Sequence, residues 1–318
     1  MMSRAGQDGL VRRTYRRCVP SALRTAVRPA FRASYRTGLL GLRAVQRVVT
    51  GCPGLGIRRW LTDPAARTMH KRMRGLKGTC GGRRGVIMGN GPSLNEMDLE
   101  VFASEAVWGS NRAYLLYDRI SWRHEFYVCV DTRVVPDIAE QLGKRIEQMQ
   151  QTRFFFPYHF RQEGVLQPAE NIYWYNQVPQ NPTGRGFGMF TSNAAAYVVD
   201  VRTVTIAAMQ LAVHLGFNPI YLIGCDNSYS VPATVRVEDA EGMDLTSTAD
   251  DDPNHFDPTY FGKGRKWHDP RPDLMEEHYV RARQFCRDRG VEVYNATVGG
   301  KLEVFPRVDY RDVFGRSN

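Results

Sequence analysis

The sequence predicts a wound α/β fold. A mostly parallel sheet carries a long lid-like insertion over 227–272 and follows a basic, partly helical or disordered N-terminal extension. Three observations lead there. Beyond residue 84, short apolar runs alternate with helix-like segments, the order that successive βα units produce. Four of the runs give way to a polar residue, Asn90, Asn111, Asp131 or Asp226, at the strand ends where open parallel sheets bind ligands. Charge is also divided sharply along the chain. Residues 1–85 hold 20 of the 43 Lys and Arg but two of the 33 acids, Asp8 and Asp63, a net charge of +18 against −8 for the remainder. The division sets 1–83 apart as an extension and 84–318 as the folded domain.

The first strand is the apolar run 86–88. It breaks at Gly89-Asn90-Gly91-Pro92-Ser93, and Ser93 with Glu96 three residues later makes a capping box that starts a helix over 93–102. A second strand at 106–108 stops at Gly109-Ser110-Asn111-Arg112. Residues 126–130 are apolar without a break, as a strand covered on both faces requires, and end at Asp131. A fourth strand lies at 153–156, and the Pro/Gly/Asn-rich stretch 162–188 after it reads as a long excursion. Residues 203–215 carry a helical apolar pattern closed by Gly216. The strand 220–223 ends in Gly224-Cys225-Asp226. The polar stretch 227–273, rich in Asp, Pro, Tyr and Gly, is too long for a connector and reads as a lid or acceptor site. A helix over 273–288 and a strand at 291–294 complete a Rossmann-like alternation.

The glycine turn after the first strand has the makings of a phosphate cradle. Gly89 and Gly91 let a backbone approach a ligand closely, Pro92 fixes the turn, and a helix N-terminus directly after a strand favours anions through its free N–H groups and dipole. A glycine turn alone also opens many ordinary α/β units. The four polar strand ends together are what point to a nucleotide crevice.

Composition narrows the rest. The extension repeats Arg every few residues, at 12, 16, 24, 28, 32, 36, 43 and 47, with small and aliphatic residues between, which suits basic amphipathic helices on an anionic membrane surface. Its sparse aromatics make nucleic acid the weaker partner, and its length argues against a transit peptide. No stretch approaches the roughly 18 uninterrupted apolar residues of a spanning helix. The expected location is therefore cytoplasmic, peripheral at the inner face of the membrane through residues 1–80. Six cysteines, Cys18, Cys52, Cys80, Cys129, Cys225 and Cys286, show no metal-like spacing and are expected as free thiols. Asp250-Asp251-Asp252 contains an Asp-x-Asp spacing, but it lies deep in the polar loop rather than after a strand, and no metal is assigned to it.

Four segments carry a family resemblance: Gly89-Asn90-Gly91-Pro92-Ser93-Leu94, Ser110-Asn111-Arg112, Thr203-Val204-Thr205 before a helix, and Ile220-Tyr221-Leu222-Ile223-Gly224-Cys225-Asp226. Over roughly 84–300 the chain resembles the superfamily of bacterial sialyltransferases of glycosyltransferase family 42, motility-associated glycosyltransferases and archaeal 6-hydroxymethylpterin diphosphokinases (MptE-like, DUF115). The resemblance implies a transferase whose nucleotide-binding residues are Gly89, Asn90, Gly91, Ser93, Asn111, Asp131, Thr203, Thr205 and Asp226. It implies that His268, followed five residues later by Asp273 and a helix, is the general base on the acceptor hydroxyl, with His255 the runner-up. Tyr229 and Tyr260 would steady the departing phosphate, although the spacing after Asp226 departs from the family pattern. Asp131 departs too, standing where the sialyltransferases carry Asn.

The implied activity is transfer of a sugar, a CMP-activated nonulosonic acid, to a glycan or lipid-linked acceptor in surface polysaccharide synthesis, with no cofactor required. The alternative is pyrophosphoryl transfer from ATP to a pterin alcohol. Only that reaction would call on Mg²⁺, with Asp131 and Asp226 to hold it.

Overall fold

In a computed structural model, residues 63–180, 190–201, 203–238 and 244–315 are described. The arginine-rich stretch, Cys18 and Cys52 lie outside them. Five apolar runs build successive parallel strands: β1 Gly85–Met88, β2 Ala106–Ser110, β3 Phe126–Val128, β4 Arg153–Pro157 and β5 Ile172–Tyr175. The chain then returns to the other side of β1 through β8 Ile220–Ile223 and β12 Val293–Asn295. The order β12-β8-β1-β2-β3-β4-β5 makes a seven-stranded, all-parallel sheet of Rossmann-like α/β type. The direction of winding reverses between β1 and β8, and a wound sheet opens its ligand crevice at the carboxyl ends beside such a switch point.

Both faces of the sheet are covered, which is why its strands are apolar without alternation. Ile87, Trp108, Phe126 and Phe155 face α3 Val204–Leu215, while Val86, Val107, Tyr127 and Phe154 face α2 Ala139–Gln148 and the C-terminal helix α5 Tyr310–Phe314. Trp108 stacks on Phe126 with ring centroids 4.5 Å apart, and Phe217 closes edge-on over both. Helix α3 is buried nearly all round. It is capped at its start by the Thr203 hydroxyl, which accepts from Thr205 N, and at its end by Gly216 in the left-handed conformation (φ 92°). Helix α4, Pro272–Arg287, packs beside it.

Several expectations are corrected. The domain starts earlier than residue 84: α1 Pro64–Gly75, capped by Asp63, buries Met69 and Met73 against the sheet. The turn after it is pinned to the end of α3 by Gly78 N to His214 O and Cys80 N to Leu215 O. No α-helix follows β1. Residues 92–102 form two short 3₁₀ turns, Pro92–Glu96 and Leu99–Phe102, and Gly91 rather than a capping-box Ser93 precedes the first. The excursion 162–188 contains β5 and also β6 Gln177–Pro179, which pairs in parallel with β7 Val198–Asp200; residues 181–189 lie outside the description. The stretch 227–273 is no plain lid. It holds an antiparallel sheet of β9 Val235–Val237, β10 Asp244–Ser247 and β11 Lys266–His268, and a strap over 252–261 tied to the main sheet.

One buried polar side chain ties α3 to β7. Gln210, 0% exposed, donates to Val199 O and accepts from Val199 N and Thr191 N. Replacing it with Leu strands three backbone groups that water cannot reach. Q210L is expected to cost about 3 kcal/mol, roughly 6–10 °C in thermal unfolding, and an unchanged midpoint would show that those groups find other partners.

Candidate active site

The two turns at the switch point are locked to each other. Gly89 N donates to Ile223 O and Gly91 N to Gly224 O, so the N–H groups of both glycines are already spent. The Asp226 carboxylate accepts from Ser93 N (3.2 Å) and Ser93 Oγ (2.7 Å). A Cβ on Gly89 would lie 2.3 Å from Gly224 O, and one on Gly91 1.8 Å from Asp226 Oδ2. The glycines are therefore needed for the approach of one strand end to the next. The anion held by Ser93 at the turn is the chain's own Asp226, while Gly89, Gly91 and Asp226 also line the neighbouring cleft. Burial raises the Asp226 carboxyl above its ordinary value, against the lowering effect of its bonds to Ser93.

Beside this lock lies a cleft of about 460 Å³, within the range of small-molecule sites. Asn90, Asn111, Thr203, Thr205, Asp131, Tyr229 and His268 all border it. The Asn90 amide donates to Ser110 Oγ (2.9 Å), which joins the ends of β1 and β2. Asn111 takes a left-handed conformation (φ 50°), with its N–H on Cys129 Sγ and its carbonyl accepting from Tyr127 Oη. Among the described residues, the buried amide oxygens of Asn90, Asn111 and Asn227 have no hydrogen-bond partner, which leaves acceptors for donors on a ligand. Thr203, Val204 and Thr205 present the N-terminus of α3, whose first turn holds no acid. Five aspartates border the cleft, Asp131, Asp200, Asp226, Asp244 and Asp269, and none of the described lining residues is Lys or Arg. Cys225 is there too. Burial, and then the neighbouring Asp226, push its thiol up to about 12, which rules it out as a thiolate nucleophile near neutrality.

His268 stands opposite Asp244 across the β10–β11 pair. Its Nδ1 lies 3.0 Å from Asp244 Oδ1, and its Nε2 lies 4.0 Å from Asp131 Oδ1. With Asp244 ionised, Nδ1 carries the proton and Nε2 offers a lone pair, the tautomer a general base needs. Arg133 pairs with Asp244 from the turn after β3, where Asp131 accepts from Arg133 N and Val134 N.

A second imidazole borders the same cleft. His255 Nδ1 is 2.7 Å from Asp252 Oδ2, and its ring lies flat on Tyr260 with centroids 3.9 Å apart. Burial would raise the Asp252 carboxyl, but His255 and the N–H groups of Asn254 and Phe261 bring it below its ordinary value. Tyr260 is 0% exposed and its hydroxyl accepts from Arg112 N, while Arg112 also donates to the carbonyls of Thr259 and Tyr260. Tyr260 is thus a fixed part of the cleft wall. Tyr229 is 37% exposed at the cleft. The segment after it is fixed by Asn254, whose amide accepts from Ser230 N and donates to Ser230 O.

Sequence reasoning missed Asp244, Asn227 and Asp252. Asp244 sits in a stretch with no periodicity, and only strand pairing brings it to His268. Asp252 stands three residues before His255, a spacing that fits a carboxylate–imidazole pair but is masked in sequence by the acidic run 250–252.

No protein-family profile matches the chain, and no curated protein does. Among solved structures, the chain is similar to a MAf glycosyltransferase from Magnetospirillum magneticum AMB-1, at 16% identity and a TM-score of 0.43 over 85% of this chain. It spans 46% of that protein's chain, less than half its length. It is also similar to the sialyltransferase CstII from Campylobacter jejuni, solved with cytidine-5'-monophosphate, at 14% identity and a TM-score of 0.35 over 72% of this chain and 85% of that one.

The raised carboxyl of Asp226 gives a pH test of the lock. A group that binds its proton more readily in the folded state costs stability above its folded titration range, and that cost disappears on acidification. D226N should unfold at the same temperature as the wild type or higher at pH 7, and the wild type should gain on it as the pH falls toward 4. The opposite trend, with the wild type falling behind D226N on acidification, would mean that Asp226 is stabilising as an anion.

Proposed function

We propose that the chain is a glycosyltransferase that moves a sugar from a nucleotide donor, CMP-linked, to a hydroxyl of a glycan or lipid-linked acceptor in surface polysaccharide synthesis. The observation that carries the reading is the His268–Asp244 pair at the edge of a cleft whose floor bears the unpartnered amide oxygens of Asn90 and Asn111. Unpartnered acceptors suit the amine and hydroxyl donors of a nucleoside, and the N-terminus of α3 with its two threonines suits a phosphate. The motif resemblance at Asn90 and Asn111 points to cytidine as the base. His268 Nε2 takes the acceptor proton as the acceptor oxygen bonds to the anomeric carbon. The bond from that carbon to the phosphate oxygen breaks, and its electron pair leaves on the phosphate. Asp244 holds the imidazole in orientation and stabilises the cation that forms. Peripheral membrane attachment through the basic extension belongs to the same proposal, since it would hold the domain near lipid-linked acceptors.

One observation favours the pyrophosphoryl reading: five aspartates border a cleft without Lys or Arg among its described lining residues, as a Mg²⁺-dependent ATP site would use.

Thermal unfolding with CMP, UMP, ADP and ATP, each with and without Mg²⁺, separates the two. CMP at about 100 times its Kd should add about 2.7 kcal/mol of stability without metal, and a response confined to ATP with Mg²⁺ would contradict the transferase. With a donor in hand, H268N is expected to lower kcat by about 10²–10⁴-fold, and full activity in H268N would remove the base. D244N should lower kcat less and shift the alkaline-active limb of the pH profile, which a merely structural role would leave in place.

A further inference from the structure

A cleft for a nucleotide donor must meet a phosphate, and here the N-terminus of α3 is not joined by a free glycine turn or, among the described lining residues, by Lys or Arg. The glycine turn is closed by Asp226, five aspartates border the space, and its described lining contains no Lys or Arg. The lining side chains able to carry positive charge are two imidazoles, His255 and His268. Their surroundings differ. His268 lies between two carboxylates, with Asp244 on Nδ1 and Asp131 4.0 Å from Nε2, so an anion at its Nε2 would face Asp131. His255 has one carboxylate, Asp252, on Nδ1, and aromatic rings on its other sides, Tyr260 flat against it and Phe261 edge-on at 5.0 Å. Its Nε2 makes no hydrogen bond within the described residues. The ring is held firmly: Phe256 N donates to Asn90 O, and Asn95 donates to Phe256 O, which fixes the strap to the turn after β1. The side chain of Asp252 is 3% exposed, so its charge is directed into the imidazole rather than spent on water.

We infer that His255, held at Nδ1 by Asp252, donates from Nε2 to the phosphate of the nucleotide donor and stabilises the charge that phosphate gains when the glycosyl bond breaks. The inference rests on the nucleotide-transfer reading and assigns the cleft's two histidines opposite tasks. His268 accepts the acceptor proton at Nε2, and His255 offers a proton at Nε2 without giving it up. A charge-assisted hydrogen bond of this kind is short and stronger than a neutral one. The leaving-group role expected of Tyr260 passes to the imidazole stacked on it.

The test is the affinity of the full chain for CMP against cytidine, by calorimetry, in the wild type and in H255Q. The wild type is expected to bind CMP about tenfold more tightly than cytidine, and H255Q to bring the two within about threefold by weakening CMP alone. A CMP preference undiminished in H255Q overturns the assignment while leaving the nucleotide reading intact. Binding of neither ligand, when both are tried at millimolar concentration, removes the nucleotide reading and this inference with it. Should H255Q fail to fold, nitrogen-resolved NMR of the imidazoles decides the matter. CMP should move one Nε2 signal that cytidine leaves in place and that persists in H268Q, and the absence of such a signal overturns the assignment.

Discussion

The contact on which the rest of the site depends is the seating of the Asp226 carboxylate on Ser93. It joins the turn after β1 to the turn after β8 at the point where the sheet reverses its winding. Glycine is required at 89 and 91 because the Gly224–Asp226 backbone and carboxylate occupy the space a side chain would need. The cleft runs from this turn to the ends of β2 and β3, the start of α3, and the insertion after β8. The cost is a buried carboxylate with a raised titration point; the return is a rigid floor against which the amides of Asn90 and Asn111 are held.

The insertion brings both histidines to the cleft, and it does so by two different structural means. The hairpin β10–β11 places Asp244 and His268 directly opposite each other, where cross-strand neighbours are in reach on either face. The strap fixes His255 by a short-range pair with Asp252, by stacking on the buried Tyr260, and by backbone bonds to the Asn90 turn. Arg112 and Asn254 bond to strap or neighbouring backbone rather than to solvent, so this long polar segment behaves as part of the domain. Each histidine is thereby given a defined protonated nitrogen at Nδ1 and a second nitrogen left for chemistry, and the surrounding carboxylates decide what that chemistry is.

The wound α/β class was legible because six of the seven sheet strands are short apolar runs, and both the cap and the stop of α3 are written at Thr203 and Gly216. The strand β5 was hidden. Its Ile-Tyr-Trp-Tyr sequence sits inside a Pro/Gly/Asn-rich stretch whose composition reads as loop. The helix expected after β1 was lost to a long-range bond, since Ser93 looks like a cap for Glu96 until the fold brings Asp226 to it from 133 positions away. For the same reason α1 was assigned to the basic extension: its charges are visible in sequence, while the burial of Met69 and Met73 is a tertiary fact. Within the site, residues at strand ends could be read from topology, and His268 from resemblance. Asp244 and the bond of Asp226 to Ser93 could not, because both depend on what the insertion and β8 place against the site.

The central claim is that the nucleotide lies along the strand-end amides with its phosphate toward the histidines rather than in the glycine turn. A crystal structure of the chain with CMP tests this most directly. The account predicts nucleoside donors within hydrogen-bond distance of Asn90 or Asn111 Oδ1, the phosphate within reach of His255 Nε2, and Asp226 still seated on Ser93. A phosphate bound to Ser93 and the glycine turn, with the Asp226 carboxylate displaced, would contradict it.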